Sequence, residues 1–317
     1  MELTTVWFLA IAVLWTGYFV LEGFDFGVGA LLGVLPRGRA ERGQALETIG
    51  PVWDGNEVWL ITAVGAMFAA FPAWYAGLLS SFYLPLVAVL AGLIVRGVAL
   101  EWRGKVTARE RRLCDAGIMA GSALTASLWG VIFGHLVSGT VTAALLGGAF
   151  SLSLAVLHGA VFLGLKTAGP LRARARGVAL AVSAGVLPVA ALVLPALARA
   201  ASTGPGGPAA GAAAWAANPL PWATALGAMV ALAAAVALVW RRREGWAFTA
   251  TAAAIALTSA TLFAGLWRAP LPGLTLAEAA SGPYTLGVLT WIALVALPFV
   301  LAYQGWTYWV FRRRVTA

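Results

Sequence analysis

Charge is scarce in this chain. Only 10% of its 317 residues are Asp, Glu, Lys or Arg, against about 25% in a water-soluble domain, and 61% are hydrophobic. A water-facing surface cannot be built from that composition, so the chain reads as a polytopic membrane protein. There is one cysteine, Cys114, which excludes a disulfide framework, and with only two histidines no Cys/His cluster has metal-ligand spacing. No Ser/His/Asp constellation or phosphate loop stands out. Gly27-Val-Gly29 lies inside an apolar run and is not a dinucleotide fingerprint. The N-terminus lacks a basic stretch and a small-residue cleavage site, so the first helix is expected to be retained rather than removed as a signal peptide.

What is present is a series of apolar runs containing Gly and Pro, which suits helices rather than a barrel of alternating strands. The fold class expected is all-α, with nine transmembrane helices near 3–35, 45–71, 75–100, 113–137, 141–165, 177–199, 220–240, 246–267 and 284–311. Basic residues fall in alternate loops: Arg37 to Arg42, Arg103 to Arg112, Lys166 to Arg176, Arg241 to Arg243 and Arg312 to Arg314. Arg199 and Arg268 fall on the opposite side, and Arg96 lies within a span. The excess of positive charge on one side places the N-terminus outside and the C-terminus in the cytoplasm. The net charge of +9 is thereby explained as a topology signal, with a secondary role towards anionic lipid, and nucleic acid is not expected as a partner. Ala200 to Pro221 reads as an external flexible connector and Arg268 to Pro283 as a second external segment. Val20-Leu-Glu-Gly and Val156-Leu-His-Gly hint at an internal repeat. The chain is thus read as a single membrane domain over 1–317, with a first four-helix unit at 1–137, a second at 141–267 and a ninth helix at 284–311.

Four carboxylates interrupt these runs. Glu22 and Asp25 share one face of the first span, and Asp54 and Glu57 share one face of the second. Asp25 lies twelve residues before Arg37 and Asp54 twelve residues after Arg42, each roughly 18 Å from its basic anchor. Two antiparallel neighbours would therefore bring two carboxylate pairs to matching depths. Carboxylates in hydrocarbon are costly and handle protons, ions or a polar partner. The alternative is that these acids tie helices together, supported by Asn56, Trp53, Trp59 and nearby glycines. Arg96 snorkels to the interface, neutralises a neighbouring acid or binds a polar head group. His158, well inside its span, reads as a packing residue or a ligand, and His135 as interfacial. Most tryptophans suit interface belts and core packing.

Glu22-Gly-Phe-Asp-Phe-Gly-Val-Gly29, Trp53-Asp-Gly-Asn-Glu-Val-Trp-Leu-Ile-Thr-Ala63 and Phe68-Ala-Ala-Phe-Pro72 closely resemble subunit II of the bd-type quinol oxidases. Leu165-Lys-Thr167, Leu289-Thr-Trp-Ile292 and Trp306-Thr-Tyr-Trp309 are similar to the family pattern further along. The resemblance implies two four-helix bundles plus a peripheral ninth helix. It implies a heterodimer with a haem-bearing subunit I in the prokaryotic cytoplasmic membrane, where the complex oxidises quinol, reduces dioxygen to water and builds a proton gradient. Haem b and haem d (or b in its place) then belong to subunit I, and this chain binds no haem or metal and is not catalytic alone. A structural quinone between its helices and small single-helix accessory subunits are compatible with the family. By the same resemblance Asp54, helped by Glu57, Glu22 and Asp25, belongs to a proton path. Trp59 and Trp53 lie near an oxygen entry or the subunit interface. Glu22 stands where many relatives have Asp. The competing class is a proton-coupled secondary transporter using the same four acids.

Overall fold

A computed structural model describes residues 2–203, 218–267 and 269–316. Among them the chain forms twelve helices and no strand. In order these are α1 (Leu3–Leu31), α2 (Gly38–Glu47), α3 (Trp53–Ala70), α4 (Pro72–Ser81), α5 (Tyr83–Trp102), α6 (Ala108–Ser138), α7 (Val141–Lys166), α8 (Gly169–Thr203), α9 (Leu220–Trp240), α10 (Glu244–Leu266), α11 (Leu276–Ala279) and α12 (Pro283–Val310). Eight of them, α1, α5 to α10 and α12, are long and apolar enough to cross a membrane. The Gly-Pro-rich part of the expected connector and Arg268 lie outside the described residues.

Local sequence explains where the expected spans differ from the helices. The run expected at 45–71 is split, because Gly50 and Pro51 sit in a turn between α2 and α3. The 18-residue α3 that remains carries Asp54, Asn56 and Glu57 near its start, which keeps it outside the strongly apolar set. The span expected at 75–100 is two helices that meet at Phe82, whose φ of −118° and ψ of 31° are not helical. Proline at position 72 starts α4, where its missing N–H is harmless. Helix α6 begins with a capping box in which Thr107 and Glu110 satisfy each other's backbone N–H, and ends at Gly139, whose φ of 70° suits glycine.

Helix α1 is central, contributing to both apolar cores. One core joins it to α7, α8, α9 and α10; the other joins it to α3, α4, α5 and α6 and is rich in aromatics. In lipid, helices gain little from the hydrophobic effect on association, so close packing must hold them together. The crossing of α1 and α7 relies on Gly27 against Gly159: a Cβ on Gly27 would lie 2.8 Å from the Gly159 backbone. Trp15, buried, packs edge-on against Trp129 at 5.0 Å and Phe133 at 5.3 Å. The Trp129 indole N–H donates to the Tyr18 hydroxyl at 2.9 Å.

Helix α12 is different, for Leu286 is its one buried residue. Polar attachments fix it instead. The Trp7 indole donates to the Thr290 hydroxyl at 3.0 Å. After α12 the tail is laced to the end of α7, where Val315 N–H donates to the Lys166 carbonyl at 2.8 Å and Arg314 Nε to the Leu165 carbonyl at 3.0 Å. Gln44 of α2 donates to the Val315 carbonyl at 3.0 Å.

Candidate functional site: a buried charge network

The inward stripe of α1 carries Glu22, Asp25 and Gly29, all buried. Glu22 Oε2 lies 3.0 Å from Arg96 Nη1, and both side chains are 0% exposed. This decides among the readings of Arg96: fully buried, it neither snorkels nor reaches a head group but neutralises an acid. Its guanidinium carbon also stands 4.9 Å from the Phe26 ring centroid and 5.9 Å from that of Trp53, a placement worth about 0.5–2 kcal/mol. An ion pair this deep loses most of its Coulomb gain to desolvation, so its net stabilisation is small, but removing one partner costs about 3–5 kcal/mol.

Asp25 Oδ2 accepts from Asn56 Nδ2 at 2.7 Å. Asn56 Oδ1 in turn accepts from the Tyr308 hydroxyl at 2.8 Å and from Gln304 Nε2 at 3.2 Å. A chain of hydrogen bonds thus runs from α1 through α3 to α12. Tyr308 and Gln304 are functional candidates that sequence reasoning missed. Their signal was a lone glutamine in an apolar span with a tyrosine four residues on, which puts both on one face.

The two carboxylate pairs do not face one another as expected. The buried positions of α3 are Asn56, Leu60, Ala63, Met67 and Ala70, a stripe spaced four, three, four and three residues apart. Asn56 therefore meets α1, while Asp54 lies on the outside of α3 and Glu57 on its flank. Asp54 is exposed, and its Oδ1 accepts only from the neighbouring Gly55 N–H at 2.8 Å. Exposed with it are Val58, Ile61 and Phe68, so this acid stands in an apolar surface stripe.

Half-buried Trp53 stands against Gly97 and Arg96. Trp59 packs on Gly17 of α1 and lines a cavity of about 1060 Å³ between α1, α3, α10 and α12, together with Phe8, Val20, Gln304 and Tyr308. A second cavity, about 390 Å³, lies between α1, α6, α7, α8 and α10 and is walled by Phe19, Trp129, Phe133, Phe150 and Leu154. His158 is fully buried. Its Nε2–H donates to the Val20 carbonyl at 3.2 Å, its Nδ1 meets the Thr251 hydroxyl at 2.6 Å, and its ring stacks on Phe248 at 4.6 Å. Both nitrogens are engaged, which favours the packing reading. Half-buried His135 stands edge-on to Phe82 at 5.9 Å.

Sequence reasoning also missed Asp115, on the cytoplasmic side of α6 in the expected topology, which joins Arg42 at 3.2 Å and Arg103 at 2.5 Å. From sequence these arginines read as topology signals with a secondary role towards anionic lipid, not as partners of a buried acid. Nearby Glu41 accepts from Arg174 and from the Arg37 N–H, and these bonds, the Arg174 one foremost, hold its carboxyl below the usual range.

Residues 3–311 match the family described as cytochrome bd terminal oxidase subunit II. The chain is 37% identical to cytochrome bd ubiquinol oxidase subunit 2 of Bacillus subtilis, over 99% of this chain and 97% of that one. It is 32% identical to cytochrome bd-I ubiquinol oxidase subunit 2 of Escherichia coli K12, over 98% and 94%. The fold resembles a chain in the structure of bd oxidase from Geobacillus thermodenitrificans, with a TM-score of 0.76, 17% identity and coverage of 98% and 99%.

Proposed function

The chain belongs to the cytochrome bd terminal oxidase subunit II family, and on that footing we propose that it is the haem-free subunit of a quinol-oxidising complex, stabilising subunit I and carrying part of a proton route towards it. The observation that carries this reading is the placement of Asp54. A carboxylate on the apolar outer stripe of α3, beside Val58 and Ile61, would be strongly disfavoured in hydrocarbon. A protein surface that covers it removes the penalty, and subunit I is that surface. From Asp54 the route passes Glu57 on the flank of α3 to the buried Asp25 and Glu22.

The rest of the arrangement follows the same reading. Counting α3 as a span gives nine crossings, N-terminus outside and C-terminus cytoplasmic, as two four-helix units (1–137 and 141–267) and the peripheral helix at 284–311. His158 has both nitrogens engaged and Met67 sulfur accepts from the Trp15 indole at 3.2 Å, so neither of these buried side chains is free to ligate a haem iron. The haems are assigned to subunit I. The apolar cavity of about 390 Å³ suits the tail of a structural quinone, and oxygen entry is assigned to the cavity beside Trp59, on the other flank of α3 from Trp53. Small accessory helices would find exposed apolar surface on α5 and α12. Family membership leaves the transporter reading without independent support.

The test is Asp54→Asn in the intact complex. Oxygen reduction slows in a pH-dependent way while haem content stays normal. Wild-type turnover with full haem removes Asp54 from the route.

A further inference from the structure

The interior between α1, α5 and α6 holds more polar atoms than its protein partners satisfy. Both Glu22 oxygens, Asp25 Oδ1, all three guanidinium nitrogens of Arg96 and the hydroxyls of Ser122 and Thr125 are buried without an aligned protein hydrogen-bond partner. Glu22 and Arg96 touch at 3.0 Å, but the contact lacks hydrogen-bond alignment.

These groups come from adjoining turns. Glu22, Asp25 and Gly29 share a face of α1, at i, i+3 and i+7. A Cβ on Gly29 would lie 2.9 Å from Ser122 Cβ, one on Gly92 would lie 2.7 Å from Thr125 Oγ1, and one on Gly121 would lie 3.0 Å from Arg96 Cβ. Helix α6 therefore presents Gly121, Ser122 and Thr125 to the turns of α5 and α1 that carry Arg96 and the two acids. The two hydroxyls are also exceptional among neighbours. Ser127, Ser138 and Ser183 donate to the carbonyl four residues back, at 2.7, 2.7 and 2.6 Å, which is the usual way for a helix to satisfy such a group. Ser122 and Thr125 make no such bond.

The occupant these atoms require must both donate and accept. Carboxylate oxygens only accept, guanidinium nitrogens only donate, and hydroxyls do either. A cation would meet Arg96, and an anion would meet Glu22 and Asp25. Water meets every requirement, and buried water typically makes about three such bonds.

We propose that the orphaned polar groups of Glu22, Asp25, Arg96, Ser122 and Thr125 enclose a cluster of ordered waters that joins the Glu22–Arg96 pair to Asp25, with Ser122 and Thr125 as its positioning residues. Glu22 and Asp25 also belong to the proposed proton route, but the waters answer unsatisfied donors and acceptors whether or not protons use them.

Electron cryo-microscopy of the intact complex, at a resolution that shows ordered water, tests it. Density is expected about 3 Å from the Arg96 guanidinium and from the Ser122 or Thr125 hydroxyl. A dry interior overturns the proposal: Arg96 bonded directly to both carboxylates, with Ser122 and Thr125 turned to the carbonyls of Ile118 and Gly121. A second map, of Ser122→Ala/Thr125→Val, should lose the waters next to these side chains; an unchanged cluster would refute their positioning role. Oxygen turnover of that complex, at full haem content, reads the other hypothesis separately. A several-fold loss is expected if protons use the waters, and unchanged turnover with waters lost counts against the proton route and not against the hydration site.

Discussion

Replacing Arg96 by Met keeps a long, flexible side chain and removes the charge. In the structure Glu22 lies 3.0 Å from Arg96 and neither side chain is exposed. The variant therefore strands a carboxylate sealed from bulk solvent, and the expected loss is about 3–5 kcal/mol. Part of the loss is the stacking of the guanidinium on Phe26 and Trp53, about 0.5–2 kcal/mol. Glu22→Gln/Arg96→Met isolates the ionic part, because both variants lose the stacking equally. Replacing both members of a buried pair is often neutral or better, so the double variant should recover about 2 kcal/mol or more relative to Arg96→Met. The assay is a double-mutant cycle on the unfolding of the intact complex in mild detergent, followed by haem absorption, with the wild type and Glu22→Gln as the other two corners. An Arg96→Met complex as stable as the double variant would falsify the claim that this contact balances a buried charge.

Three further outcomes are expected. Gly159→Leu should block the α1–α7 crossing, since even a Cβ there falls 2.5 Å from Gly27 Cα; co-purification with subunit I should drop sharply, and normal assembly would show that the helices separate freely. The folded-state carboxyl of Glu41 is held low, chiefly by Arg174, so its stabilising effect is present above the ordinary value of about 4.3 and fades as pH falls through the folded value. Glu41→Gln should therefore cost stability at neutral pH and converge with the wild type in acid at low salt; identical profiles would refute the pairing. If oxygen enters beside Trp59, which faces the cavity of about 1060 Å³, Trp59→Ala should change oxygen rebinding after flash photolysis, and unchanged rates would close that route.

The helices and the burial of Glu22 and Asp25 were legible because apolar runs and intramembrane acids are strong signals, whereas the central place of α1 shows only in the packing. The orientation of α3 was not. Its sequence is apolar on most sides after Glu57, so periodicity left open which of Asp54, Asn56 and Glu57 faces α1. Packing settles it through Leu60, Ala63 and Met67, which carry the inner stripe up to Asn56. The division of 72–102 into α4 and α5 was hidden for a related reason, since both pieces are apolar and the break at Phe82 shows only in its dihedral angles. Arg96 was ambiguous because its distance from the cytoplasmic anchor suits either snorkelling or pairing. Only the position of Glu22 on the neighbouring helix decides it.

Asn56 links two properties that sequence alone keeps apart. Its amide nitrogen donates to Asp25 and its oxygen accepts from Tyr308 and Gln304, so one side chain ties a buried acid to the helix that is least buried. Helix α12 has little packing to hold it, with Leu286 as its sole buried residue, and in lipid it gains no hydrophobic drive to dock. Its seat therefore depends on a few polar contacts: Trp7 with Thr290, the tail with Lys166, Leu165 and Gln44, and Asn56 with Tyr308 and Gln304. Of these, only the Asn56 contact also touches an acid assigned to the proton route. Asn56→Leu should consequently disturb both, loosening the C-terminal half of α12 and freeing Asp25 from its hydrogen bond. Protease access or crosslinking at α12 reads the first effect and the pH profile of oxygen reduction reads the second. Were the second to change while α12 stayed firmly docked, the tail and Trp7 would be sufficient to hold the helix, and Asn56 would serve Asp25 alone.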